Sequence, residues 1–271
     1  MLGRERVPLV SQNPSALKYP LIKIAALTKR YRRGPVILDN IDIDVEKGEF
    51  VTLIGPSGCG KSTVLKLIAS LSPVTSGTLL VDNMKPEKAR KETSFVFQEA
   101  TLLPWRTVAR NIELPLEVSG VPEGERREIC SRMLKLVRLE HVSGHYPRQL
   151  SGGMKMRVSI ARALAISPRI LLLDEPFGAL DEMTRDRLNE ELLGIREKQK
   201  FTAVFVTHSV SEAVFLSSRI VVLAANPGRV HRDCAVPFPY PRNAETRDSP
   251  EFQRFVTQIS KELRAVNPEN Q

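Results

Sequence analysis

The stretch Gly55-Pro56-Ser57-Gly58-Cys59-Gly60-Lys61-Ser62-Thr63 combines glycines, one lysine and two adjacent hydroxyls in the spacing of a phosphate-binding loop. The apolar run 50–54 precedes it, and Val64, Leu65, Leu67 and Ile68 follow at helical spacing, so the segment reads as strand, tight loop, helix. Glycines let the backbone curl with its N–H groups pointing inward around an anion, and the helix adds its positive N-terminal end. In that arrangement Lys61 reaches the β- and γ-phosphates and the Ser62 hydroxyl holds Mg²⁺. A Gly-rich turn before an ordinary helix is the plain alternative.

A second pair of groups suits the same chemistry. Asp174-Glu175 ends the apolar run 170–173, which is how a buried central strand delivers carboxylates to a site at its end. Asp174 fits a Mg²⁺ shell, because hard cations take carboxylate and water oxygens. Glu175 fits the residue that orients and deprotonates an attacking water. Taken alone the pair reads equally as a helix cap or a turn; beside a phosphate-binding loop it supplies the second half of a nucleotide site.

The elements that must hold these groups alternate along the chain. Strand patterns occupy 22–27, 36–45 and 50–54, with a turn at Glu46-Lys47-Gly48, then 78–81 and 93–97. From about 99 to 149 helical periodicity takes over, in 108–118 and 125–139, punctuated by Pro104, Pro115, Pro122 and Pro147. This reads as a helical subdomain inserted into an α/β core. The core resumes after Ser151-Gly152-Gly153 with a helix to about Ala165, a strand over 170–173, an amphipathic helix over 182–199 and a strand over 202–207. Such alternation predicts a mainly parallel sheet with ligands at the carboxyl ends of its strands. One more helical pattern, 250–266, closes a proline-bearing tail.

Composition narrows the setting. A chain of 271 residues, 42% hydrophobic, suffices for one large α/β domain with an insert. The net charge of +9 is spread along helical stretches rather than blocked, which points to solvated faces and weak attraction to a membrane surface. Cys59, Cys130 and Cys234 lie far apart without metal-ligand spacing and suit a reducing cytosol. Residues 1–20 carry no apolar core, so no signal peptide is expected, and the longest apolar runs are too short to span a bilayer. Cys59 sits where a helix N-terminus and Lys61 would lower its pKa, so its alkylation is expected to block nucleotide binding.

The order of motifs resembles the ATP-binding subunit of ABC transporters. Leu150-Ser151-Gly152-Gly153-Met154, then Leu171-Leu172-Leu173-Asp174-Glu175-Pro176, Ala179-Leu180-Asp181 and Thr207-His208 carry the likeness, which spans about 22–230. Leu102-Leu103-Pro104-Trp105-Arg106-Thr107-Val108, residues 174–181 and Asn226-Pro227-Gly228-Arg229-Val230 look more narrowly like the branch serving nitrate, sulfonate and taurine importers. The resemblance implies an α/β fold: a P-loop NTPase core with a mainly parallel sheet, an N-terminal antiparallel β part and an inserted helical subdomain. The ATPase domain would cover 21–233, with the insert at about 99–165, and 234–271 would form a short C-terminal extension.

The same resemblance implies roles for single residues. Tyr31 is similar to the aromatic that stacks on adenine, and Gln98 to the glutamine that senses Mg²⁺ and the attacking water. Ser151, Gly152 and Gly153 look like the signature that meets the γ-phosphate bound by the opposite protomer, Asp181 like the aspartate of the loop crossing between protomers, and His208 like the histidine that holds Glu175 and the water. The plain readings are a strand-edge tyrosine, helix caps at Ser151 and Asp181, and a structural histidine. ATP and Mg²⁺ are thus the implied cofactors. The implied partners are a second copy in a head-to-tail dimer, integral membrane permease subunits and, indirectly, an extracytoplasmic solute-binding protein, with no nucleic acid expected. The location would be peripheral, at the cytoplasmic face of the membrane. The stretch Leu102 to Trp105, which carries the chain's only tryptophan, reads as part of a permease-facing surface; the plain alternative is that Trp105 is core.

Two departures from the family pattern are Lys155-Met156, where a basic residue followed by glutamine is usual, and Ser209, where aspartate often follows the histidine. Two rival functions remain. A soluble ATPase of this type acting on nucleic acid or in translation would usually carry a second cassette or a long coiled coil. A non-catalytic regulatory module would be expected to lack Glu175 or His208.

Overall fold

The computed structural model describes residues 19–266. Most of the N-terminal stretch read above for a leader, 1–18, lies outside the described residues.

The chain opens with β1 (Ile22–Arg30) and β2 (Val36–Val45), runs through β3 (Phe50–Ile54), a tight loop and α1 (Lys61–Ile68), and returns as β4 (Ser76–Val81). β2, β1 and β4 form an antiparallel sheet in that order, with Ile24 opposite both Ile43 and Leu79. β1 extends three residues beyond its apolar alternation. Register shifts after Ile24 and Leu27, with Ala26 at φ 47°, break the period of two that marks a strand.

β5 (Thr93–Val96) leads into α2 (Val108–Val118), α3 (Glu123–Leu136) and α4 (Gly152–Leu164), the expected helical insert. α2 matches its sequence pattern, and Thr107 caps it by accepting from the Arg110 N–H at 3.3 Å. α3 starts two residues before the apolar pattern does, because Pro122 can precede a helix and Glu123 and Glu125 suit its positive end.

The second sheet adds β6 (Ile170–Asp174), β7 (Thr202–Val206), β8 (Arg219–Ala224) and β9 (Arg229–Ala235), with α5 (Glu182–Gln199) before β7 and α6 (Val210–Leu216) after it. Its order is β5-β6-β7-β3-β8-β9, parallel throughout except for β8 against β9. Successive residues of the buried strands serve opposite faces. Leu171, Leu173, Phe50 and Phe205 join one apolar cluster with the helical insert; Ile170, Leu172, Val51 and Val204 join another with α1 and the antiparallel sheet.

α7 (Ala244–Asp248) and α8 (Pro250–Ala265) follow β9. β9 ends two residues past the sequence-based boundary at 233, so that boundary falls inside a strand. Val236, Phe252, Ile259 and Val266 are buried in the cluster that holds Phe50 and Leu173, so the C-terminal extension packs on the core.

Candidate functional site

Strand order brings the chemistry together. β3 pairs with β7 and β7 with β6, so their carboxyl ends lie side by side. The chain leaves β3 into Gly55, β6 into Glu175 and β7 into Thr207-His208. A cleft of about 300 Å³ opens there, with Lys61, Ser62, Glu175 and His208 among its walls.

The loop between β3 and α1 is shaped by its glycines. Gly60, at φ 94°, is the residue that begins α1, and no side chain caps the helix, which leaves first-turn N–H groups for an anion. A Cβ on Gly60 would lie 2.4 Å from Leu38 Cδ2. Lys61 is buried, and its Nζ donates to the carbonyls of Gly55 at 2.8 Å and Pro56 at 2.9 Å, which offsets the cost of burying an ammonium. From the other side Gly228 presses on the loop: a Cβ there would lie 2.1 Å from the Cys59 carbonyl oxygen. Gly228 is pinned to β2, since its N–H donates to Ile37 O at 2.8 Å and its carbonyl accepts from Asp39 N–H at 2.9 Å.

The acidic pair divides its work. Ser62 Oγ donates to Asp174 Oδ1 at 2.7 Å. Glu175 adopts φ 48°, an uncommon backbone for a non-glycine residue. Its N–H donates to Val206 O at 3.0 Å, tying the turn to β7, and its Oε1 lies 2.7 Å from His208 Nε2. His208 is half-exposed while Glu175 is largely covered.

Tyr31, Gln98, Ser151, Gly152, Gly153 and Asp181 are not among the residues lining this cleft. Tyr31 is 45% exposed, and Lys29 Nζ lies 4.5 Å from its ring centroid; that ammonium is buried and donates to Pro73 O at 2.6 Å. Gln98 is exposed, two residues beyond β5. Ser151 caps α4, its hydroxyl accepting from Met154 N–H at 3.3 Å, and Asp181 caps α5, accepting from Thr184 N–H at 2.9 Å. That N–H holds the exposed Asp181 carboxyl below its ordinary range. Gly152 and Gly153 sit against Leu180 and Thr184: added Cβ atoms would come within 3.1 and 3.0 Å of them. The signature residues and the Asp181 loop therefore lie against one another, and none of them lines the phosphate loop's cleft.

The expectation for Cys59 is corrected. Its thiol is fully buried, and burial raises its pKa above the ordinary value, outweighing the nearby Lys61 charge that lowers it. Trp105 is 72% exposed and so is not core. Both departures from the family pattern have local explanations. Met156 is buried in the larger apolar cluster, and Ser209 caps α6 by accepting from Glu212 N–H at 3.3 Å. Sequence reasoning missed Lys29 behind Tyr31 and Ile37 in the cleft wall; neither lies in a motif.

The ABC transporter family profile matches residues 38–178. The chain is 47% identical over 244 residues (89% of this chain, 91% of the relative) to the uncharacterised ABC transporter ATP-binding protein MJ0412 of Methanocaldococcus jannaschii. It is 45% identical over 222 residues (82% and 87%) to the aliphatic sulfonates import ATP-binding protein SsuB of Bacillus cereus. Among solved structures, the dimeric post-hydrolysis state of the ATP-binding cassette MJ0796 bound to ADP and Pi matches with a TM-score of 0.71 at 37% identity, covering 80% of this chain and 100% of that one. CbiO1 from Clostridium perfringens, part of the cbiONQ transporter complex, matches with a TM-score of 0.75 at 25% identity, covering 89% and 95%.

Proposed function

This chain belongs to the ABC transporter family and is an ATP-hydrolysing cassette, and on that footing we propose that it powers the uptake of a small solute through a separate membrane permease. The observation that carries the reading of the site is the pairing of Ser62 with Asp174 and of Glu175 with His208 on neighbouring strand ends.

ATP seats its phosphates on the loop 55–63, where Lys61 and the α1 N–H groups meet the β- and γ-phosphates. Ser62 and Asp174 offer hard oxygens that fit Mg²⁺, and the resemblance to the family would add Gln98, which stands exposed two residues beyond β5. Mg²⁺ held by Ser62 and Asp174 would take its further oxygens from phosphate and water, as hard cations do. The ion, when bound, supplies charge neutralisation on the transferring phosphoryl group. Glu175 orients the attacking water and takes its proton, while His208 fixes the Glu175 carboxylate. Tyr31 stacks its open face on adenine. Ser151, Gly152, Gly153 and Asp181, which do not line this chain's own cleft, complete the site of a second copy in a head-to-tail dimer.

The solute is of the sulfonate, taurine or nitrate kind, and the identity to SsuB, an aliphatic sulfonates import ATP-binding protein, supports the sulfonate member of that class. An extracytoplasmic binding protein would present that solute to the permease. No helix among the described residues is long and apolar enough to cross a membrane; attachment at the cytoplasmic face runs through permease subunits, with Trp105 on the contacting surface. The test is a pull-down of the Glu175→Gln variant from detergent-solubilised cells with ATP and Mg²⁺, with copurifying proteins identified by mass spectrometry. Recovery of an integral membrane protein is expected; recovery of nucleic acid or ribosomal components without one overturns the transport reading.

A further inference from the structure

α6 begins two residues after His208 and has seven residues. A helix that short does not hold itself in water, so its position is set by what grips its ends. At the N-terminal end, Thr207 donates its hydroxyl to Glu212 Oε2 in a short hydrogen bond. The Ser209 N–H donates to the Thr207 hydroxyl at 3.0 Å, and the Glu212 N–H donates to the Ser209 hydroxyl at 3.3 Å. Both chain neighbours of His208 are thereby tied to one residue of the helix.

The other end is gripped by the C-terminal extension. Arg242, 5% exposed, points its guanidinium at the last turn of α6. Nη1 donates to the carbonyls of Val214 at 2.8 Å, Phe215 at 2.9 Å and Ser217 at 2.8 Å, which a helix cannot satisfy internally. Nε and Nη2 donate to Phe238 O and so bind the extension to the same cation. The positive charge also complements the negative end of the helix. Tyr240 adds a hydrogen bond from its hydroxyl to Leu216 O at 2.6 Å, and the Arg242 guanidinium lies 4.2 Å from the Tyr240 ring. Arg247, paired with Asp186 of α5 at 2.9 Å, lies 3.5 Å from the Phe215 ring.

We propose that the C-terminal extension, through Arg242 and Tyr240, fixes α6 and thereby positions His208 against Glu175, so that hydrolysis depends on a segment remote from the nucleotide. Arg242 and Tyr240 are positioning residues. The inference rests on the reading of Glu175 and His208 given above.

The experiment uses the full chain with Arg242→Lys, which keeps the charge but loses the fork that joins the α6-end carbonyls to Phe238 O, and Tyr240→Phe, which removes one hydrogen bond and keeps the ring. Steady-state ATPase rates, amide hydrogen exchange over 209–217, and both substitutions repeated in a His208→Ala background are measured. Arg242→Lys should lower kcat by about 10- to 100-fold, as displacement of a catalytic group does. KM for ATP should stay unchanged, and the Ser209 and Glu212 amides should exchange faster. Tyr240→Phe should show a smaller loss in the same direction, and it carries the test if the Arg242 variant does not fold. In the His208→Ala background neither substitution should lower kcat further.

Parent kcat despite faster exchange overturns the proposal, as does an equal fold-loss in both backgrounds. Full activity of His208→Ala alone instead sinks the reading of the site; the exchange rates would then still decide whether the extension holds the turn.

Discussion

Ser62 and Asp174, separated by 112 residues of chain, meet through a 2.7 Å hydrogen bond from hydroxyl to carboxylate. The phosphate loop and the end of β6 are therefore locked in register before either touches a phosphate. Ser62→Ala should weaken Mg²⁺-dependent ATP binding by about 10- to 100-fold, the scale of one hydrogen bond to a charged group. Affinity in excess chelator should change little. Nucleotide titration with and without Mg²⁺ checks this; an equal loss in both conditions would remove Ser62 from the metal shell.

Cys59 should resist thiol reagents in the folded chain at pH 7.5, because the thiol is buried and its pKa is raised chiefly by that burial. Half-buried Cys234 should label first. Thiol counting before and after unfolding in guanidinium reads both. Rapid, stoichiometric labelling of Cys59 in the native chain would restore the reactive-thiol expectation.

Glu212 sets a pH dependence of stability. Burial raises its carboxyl above the ordinary 4.5, against the Thr207 hydroxyl, the Arg185 and Arg247 charges and the Asn189 amide. The folded chain thus favours the protonated form. Its contribution is fully present below about pH 4.5 and lost as pH rises through the raised value. Glu212→Gln removes that dependence, so the parent's Tm advantage over the variant should shrink as pH rises from 4.5 to 8. A constant difference across that range would show that Glu212 does not change its proton affinity on folding.

Trp105→Ala should leave thermal stability within about 0.5 kcal/mol and the basal ATPase rate at the parent level, as expected for a side chain 72% exposed. Copurification of the proposed permease with the Glu175→Gln, Trp105→Ala double variant should fall. Undiminished recovery would place the permease contact elsewhere.

Much of this was legible in the sequence because the same residues satisfy local and global demands. The 55–63 loop, the buried strand ending at Asp174, and α5 over Glu182–Gln199 each carry a continuous pattern between clear stops. β9 was not legible: as an edge strand its residues alternate charge with partial burial, and its apolar content is too low to mark a period of two. α6 hid because almost all of it is buried, which erases the amphipathic signal. The burial of Cys59 was also unreadable, since Leu223, whose carbonyl stands 2.5 Å from where a Gly55 Cβ would be, closes the loop from a strand far along the chain. Lys29 behind Tyr31 depends likewise on Pro73, 44 residues away.

Because Ser151, Gly152, Gly153 and Asp181 do not line the chain's own phosphate cleft, the proposed dimer makes activity a matter of mass action. On the proposed dimer neither copy can complete a site alone, so in dilute solution the rate per chain should climb with concentration until pairing saturates. It also gives complementation arithmetic: an equimolar mixture of Lys61→Ala and Ser151→Ala chains contains mixed pairs with one intact site, whereas each variant alone has none. If the proposed permease holds two copies side by side, tethering lifts that concentration limit, and the membrane partner would then be the means by which the enzyme is switched on.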